Sequence, residues 1–338
     1  MKMRLIFLLI FTALALLVAC ASSDVNELTT GTIQRIWDEN DSRINGAIHR
    51  VEYGENVAYI FGTFHASREG WFPLADVVED ALRRSDIFLV EVEEIGLGGV
   101  YFRQTIMSAR YLPDDMTWIE VLPENAYNHL VNTLATWNVA GAWNNIYESV
   151  NTVNPLFLIL GLENELILEH SNAKANFENT VDAYIANVAL ELGLPIFGLE
   201  SAEQQLDIMY NPPFEVMLTR IMNLLPREEF MEALNGTTDL DNILKFYENN
   251  DFDLMNYYIA IDLGADIECT YVTYFREVIM NWRSIYYTEE IIRLLRETEE
   301  PTVFFAAMGV THVIRSGAGE EFTDVIEQLE LAGFTMIN

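Results

Sequence analysis

Val303-Phe304-Phe305-Ala306-Ala307-Met308-Gly309-Val310-Thr311-His312 is the stretch on which the fold turns. It opens as a continuous apolar run, too short for a buried helix and suited to a strand covered on both faces, and it ends on a histidine. The same grammar occurs near the other end of the chain, where Val57-Ala58-Tyr59-Ile60-Phe61 stops at Gly62-Thr63-Phe64-His65. Between them, Ile87-Phe88-Leu89-Val90 runs into Glu91-Val92-Glu93, and Pro195-Ile196-Phe197 passes through Gly198-Leu199 into Glu200. These strands predict an α/β fold with a mixed, largely parallel central sheet flanked by helices. Ligands of such sheets bind outside the carboxyl ends of the strands. Two histidines and two or three glutamates gathered there make a candidate site.

The segments around the strands support this reading. Ile48 to Tyr53, a turn at Gly54-Glu55-Asn56 and Val57 to Phe61 form a hairpin pattern. Pro73 to Arg84 has helical spacing, with Leu74, Val77, Val78, Ala81 and Leu82 on one face. It joins the His65 strand to the Glu91 strand as a βαβ unit, which requires parallel strands and a right-handed crossover. A helical insertion is expected over about 114–190, rich in aromatics such as Trp118, Tyr127, Trp137, Trp143 and Tyr147. These aromatics read either as core packing or as a recognition surface. Thr180 to Leu192 leads by Gly193-Leu194-Pro195 into the Glu200 strand, a helix stop followed by a strand. Helices return from Ala202 to about Arg296. The last helix, Glu320 to Leu331, precedes a closing strand at Gly333 to Ile337. The two Gly-x-x-His strands have the form of halves of a duplicated unit.

The amino terminus stands apart. Lys2 and Arg4 precede the uncharged run Leu5 to Val18, and Leu17-Val18-Ala19-Cys20 follows. This is the pattern of a signal peptide, not of a spanning helix. The Leu-Val-Ala-Cys ending resembles the bacterial lipobox, in which the cysteine carries lipid such as palmitate. The sequence therefore predicts a signal peptide over 1–19, a tether over 20–30 and a single domain over 31–338, anchored to the outer side of a cell membrane through Cys20. The second and last cysteine is Cys269, so no disulfide framework is expected. The formal charge is −33, and loss of Lys2 and Arg4 makes it more negative still. Such a chain is repelled by nucleic acid, which excludes it as a partner. Oligomeric state is not readable.

His65 and His312 are the first candidates for chemistry in a chain of only five histidines. Imidazole suits divalent Zn, Mn or Co and also general-base work near neutral pH. The competing reading is a pair of satisfied strand-end histidines. Glu91 and Glu93 share one face of their strand by its period of two, and carboxylates there can ligate a metal or orient a histidine. Glu200 can do the same, or can simply complement the positive end of the helix that begins beyond Ser201. His49, His129 and His170 lack this placement and read as surface residues. Cys269 has no histidine or cysteine near it. A nucleophile elbow, a P-loop and a His-Glu-x-x-His motif are all absent.

As a set, these pieces resemble the TraB/PrgY/GumN family, which includes the Tiki proteases. The matching residues are Tyr59 to His65, Pro73-Leu74, Val90 to Glu93, Val181-Asp182, Gly198 to Ser201 with Glu203 to Leu206, Arg283, and Met308 to Val313. The resemblance implies a fold akin to the erythromycin-esterase and ChaN-like proteins, and divalent-metal-dependent hydrolysis, most naturally of a peptide. It implies His65, His312 and Glu91 as metal ligands and catalytic residues, and Arg283 as a catalytic group that stabilises an oxyanion or grips a substrate carboxylate. Glu93, Glu200, Gln205 and Asp182 fall in the same pocket. This chain departs from the pattern at Ser284, where asparagine usually follows the arginine, at Tyr287, where tryptophan is common, and at Thr180, where glycine is usual. The alternative is a non-catalytic lipoprotein that captures a peptide signal, a metal or haem in that pocket.

Overall fold

The computed structural model describes residues 44, 46–92, 112, 116–122, 124–136, 151–154, 158, 179–210, 213, 216–217, 240–255, 274–314 and 323–337. β1 (Ala47–Tyr53) and β2 (Asn56–Thr63) form the expected antiparallel hairpin, with Ala47 opposite Gly62. Gly54 takes the turn at φ 62°, a backbone value that glycine adopts without penalty. The chain then passes through α1 (Asp76–Arg83) into β3 (Ile87–Val92), completing the predicted βαβ unit. The helix starts at Asp76 and not at Pro73. The preceding loop is tied down instead, because Leu74 N–H donates to the Glu79 carboxylate at 3.2 Å. Glu79 also accepts from Tyr184 Oη at 2.6 Å, so this acid is a buried structural group and not part of the solvated surface.

α2 (Trp118–Val121) and α3 (Glu124–Thr136) fall where the helical insertion is expected. Trp118 is fully buried and donates its indole N–H to the Val153 carbonyl at 2.8 Å, which makes it a core residue. α4 (Val181–Leu192) begins on a Thr180 cap that accepts the Ala183 N–H and ends at Gly193, φ 72°. It leads into β4 (Ile196–Glu200) as the helix-stop pattern predicts. α5 (Ala202–Tyr210) opens on a reciprocal cap between Ser201 and Gln204. α6 (Leu240–Glu248) follows. A π-helical segment (Phe275–Trp282) runs directly into α7 (Arg283–Glu297). After β5 (Val303–Gly309), α8 (Val325–Leu331) is capped by Asp324, and β6 (Met336–Ile337) pairs antiparallel with β1.

The six strands form one sheet in the order β4-β3-β5-β2-β1-β6. β5 lies between β2 and β3 and runs parallel to both, with Thr63 opposite Gly309 and Ile87 opposite Phe304. β4 continues the parallel set, with Val92 opposite Glu200. The apolar runs are covered on both faces: Ile60 and Phe61 are both fully buried, as are Phe305 and Ala306. Phe305 meets Phe61 and Phe88 at ring-centroid separations of 6.0 and 6.2 Å, each buried ring stabilising the sheet by about 1.5–3 kcal/mol. α7 lies across the sheet, touching β1, β2 and β4, and supports α8. Among the described residues no helix is long and apolar enough to cross a membrane.

Candidate active site at the carboxyl edge of the sheet

The parallel register brings the ends of four strands together. His65 follows β2, Glu91 lies near the end of β3, Glu200 ends β4, and His312 closes a short 3-10 turn (Val310–His312) after β5. The two glycines of the Gly-x-x-His stretches do different work. A Cβ at Gly62 would come within 3.0 Å of the Val310 backbone, so glycine lets the two histidine loops nest. Gly309 lies under Glu91 and donates its N–H to Glu91 Oε1 at 2.7 Å.

His65 is mounted on the start of α4. Its Nδ1 is 2.9 Å from Asp182 Oδ2, Val181 N–H donates to the Phe64 carbonyl at 3.1 Å, and Ser67 Oγ donates to the Asn179 carbonyl. Tyr247, reaching in from α6, donates to the Gly62 carbonyl at 2.7 Å. His312 is mounted on α7, where Ser284 Oγ lies 2.8 Å from its Nδ1. Its ring and that of Tyr287 meet edge to face at a centroid distance of 5.2 Å.

Arg283 is the hub. α7 buries Arg283, Ser284, Tyr287, Thr288, Ile291 and Leu295 on one stripe at helical spacing. The Arg283 Nη2 donates to Glu91 Oε2 at 2.8 Å and to Glu200 Oε1 at 2.6 Å, and its Nε donates to the two Glu200 oxygens at 3.1 and 3.3 Å. Tyr287 Oη accepts from the same Nη2 and donates to Glu200 Oε1 at 2.8 Å. Gln205 Nε2 adds a bond to Glu200 Oε1 at 3.1 Å. Glu200 thus faces Arg283 and does not serve the helix that follows it.

The electrostatics divide the groups. Burial opposes the charge on Glu91, but Arg283, then His312, His65 and the Gly309 N–H, outweigh it and bring its pKa down to about 2. Burial, reinforced by Arg283, pushes His312 down to about 3. Burial lowers His65 as well, yet the Asp182 charge and hydrogen bond reverse the sign and raise it. One histidine is therefore held neutral and the other is made more basic.

The structure gathers His65, Glu91, Asp182, Glu200, Gln205, Arg283 and His312 into one network. Glu93 and Cys20 lie outside the described residues, as do His170 and Cys269. Ser284 and Tyr287 complete the site as partners of His312 and Arg283. Their sequence signals are position, next to Arg283 and one helical turn beyond it, and their departure from the family pattern.

Neither the curated proteins nor the solved structures gave a match to this chain. The model of the TraB/PrgY/gumN family matches residues 47–336, which spans β1 to β5, the start of β6 and every residue of this network, and the chain belongs to that family.

Proposed function

We propose that the protein is a lipid-anchored, divalent-cation-dependent hydrolase acting on a peptide. The observation that supports this most is the tethering of both histidines through Nδ1, which leaves each Nε2 for chemistry beside a carboxylate held ionised. A tether of this kind orients imidazoles for metals or for proton transfer. The site holds three carboxylates and one guanidinium: Glu91 and Glu200 pair with Arg283, and Asp182 pairs with His65. That surplus of negative charge favours a cation.

Among the described residues no group of three His, Cys, Asp or Glu side chains is arranged to hold an ion. The donor chemistry nevertheless suits one: two imidazole nitrogens and a carboxylate are a catalytic zinc-type set. His65 and His312, through Nε2, and Glu91 are the residues that would hold it. When bound, such an ion supplies Lewis acidity and acidifies a water.

The protein's own groups take distinct parts. Glu91, with a pKa of about 2, is too weak a base to accept a proton near neutral pH and acts as a fixed anion. His65, made more basic by Asp182, is the proton acceptor whenever its Nε2 is not engaged by the cation. Arg283 spends its Nε and Nη2 on carboxylates and Tyr287, so its part is to fix Glu91 and Glu200 in place.

The test is hydrolysis of a peptide library with and without chelator, alongside metal analysis of the purified protein, His65→Ala, His312→Ala and the double variant. Each single change should abolish turnover and metal content, and the double change should cost hardly more, because groups acting as a unit are non-additive. Full metal content in the double variant would overturn the assignment. Metal and peptide capture without turnover would favour the binding lipoprotein.

A further inference from the structure

The two Gly-x-x-His histidines have partners of different hydrogen-bonding character. Asp182 is a carboxylate and can only accept, so His65 carries a proton on Nδ1, and its neutral form presents a lone pair at Nε2. Ser284 can donate or accept. It is fully buried on α7, and among the described residues His312 Nδ1 is the only partner of its hydroxyl. One turn further on, Thr288 sends its hydroxyl back to the Ser284 carbonyl at 2.8 Å, but Ser284 points at the imidazole instead. A buried hydroxyl that only accepted would leave its proton without a partner, at a cost of about 1–3 kcal/mol. The accounting closes when Ser284 donates to Nδ1 and His312 carries its proton on Nε2.

A cation needs a lone pair at that same Nε2. We propose that Ser284 is a positioning residue that acts as a hydroxyl switch. In the cation-free site it donates to His312 and holds an Nε2–H; when a cation binds it rotates to accept from Nδ1–H and frees the Nε2 lone pair. The proton count of the ring is unchanged, since one proton leaves Nε2 and one arrives at Nδ1. His65 undergoes no such change, because Asp182 keeps a proton on its Nδ1 throughout. The cation half of this inference rests on the function proposed above.

Long-range 1H–15N correlation spectra of histidine-labelled protein at one fixed pH read each tautomer directly. In chelator-stripped protein, His65 should appear as Nδ1–H and His312 as Nε2–H. On addition of Zn2+, which is diamagnetic, His312 should convert to Nδ1–H with zinc-shifted Nε2, while the proton on His65 stays in place. In Ser284→Ala without zinc, His312 should lose its single tautomer and show both forms, and zinc affinity should fall about tenfold for want of an Nδ1–H acceptor. Finding His312 as Nδ1–H in the stripped wild-type protein overturns the inference. So does a Ser284→Ala spectrum identical to wild type. Zinc that binds while His312 stays Nε2–H overturns the switch alone and leaves the hydrolase reading intact. Zinc that fails to bind overturns the switch together with the cation-dependent reading, and the zinc-free tautomers still stand on their own. If Ser284→Ala does not fold, the two wild-type spectra decide.

Discussion

Replacing Arg283 with Met tests whether the site is organised around a buried charge. The guanidinium is almost fully buried, with side-chain exposure of 4%, against 0% for Glu200 and 17% for Glu91. Methionine keeps most of the side-chain volume, so the principal loss is electrostatic: the donor bonds to Glu200 and Glu91 disappear and two carboxylates remain in low dielectric. Breaking a buried pair from one side costs about 3–5 kcal/mol. The cost should depend on pH. Without the guanidinium, the charge that does most to hold Glu91 at about 2, that carboxyl becomes easier to protonate and its folded pKa rises above the unfolded one. The folded variant then binds more protons than the unfolded chain, and its stability rises as pH falls. The gap to wild type should therefore be widest at about pH 7.5 and should narrow at about pH 5. Urea denaturation of chelator-treated protein at both pH values measures it, provided the m-value is unchanged. Adding Glu200→Gln to the variant should recover about 1–2 kcal/mol, since it removes the more buried orphan. A deficit under about 1 kcal/mol, or one that does not change between the two pH values, refutes the reasoning.

Two further outcomes follow from the same geometry and a third from the amino-terminal sequence. His312 titrates near 3 folded and 6.5 unfolded, so the unfolded chain binds the extra proton and stability drains as pH falls below 6.5, at about 1.4 kcal/mol per pH unit; His312→Gln should flatten that slope in a metal-free acid titration. Gly62→Ala should destabilise by about 1–3 kcal/mol, because its Cβ meets Val310 backbone at 3.0 Å, whereas a Cβ at Gly309 meets Glu91 Oε1 at 3.4 Å and His312 Cδ2 at 3.7 Å and should disturb the site more than the melt. Cys20→Ser should release the protein from membranes or leave an uncleaved precursor, with the domain's melting temperature unchanged; membrane fractionation and mass spectrometry of the wild-type amino terminus check it, and an unacylated, freely soluble wild-type protein would refute the anchor.

The strands were legible because central strands of a parallel sheet are buried on both faces and so read as unbroken apolar runs. Their order was not, since a crossover helix tells that β2 and β3 are parallel but not that β5 will enter between them. The strand-exit residues His65, Glu91, Glu200 and His312 were legible for the same reason as the strands. Asp182, Gln205 and Arg283 came from resemblance alone, because nothing in their local sequence says which way a helix turns. Glu79 is indistinguishable by sequence from the other acids of a strongly acidic chain, yet it holds the loop before α1 through Leu74 N–H and Tyr184. Ser284 was visible as a departure from the family pattern, and only its 2.8 Å approach to His312 gives it a part.

The repeated Gly-x-x-His suggests two equal halves, and the fold gives them unequal surroundings. β2 and β5 are parallel neighbours, but in their register Gly62 stands opposite Met308 while Gly309 stands opposite Thr63, so the two motifs are displaced by one residue. That displacement puts the Gly309 amide under Glu91 and leaves Gly62 against Val310. It also sends the chain after β5 into a 3-10 turn toward α7, whereas the chain after β2 is received by α4. The imidazoles then meet different partners, a carboxylate on α4 and a hydroxyl next to a guanidinium on α7. The same Gly-x-x-His spacing thus yields one histidine made basic and one held neutral. Such a pair suits the proposed hydrolysis, because one group can take a proton while the other remains neutral and available to bind or donate, whereas two histidines in equal environments would titrate together.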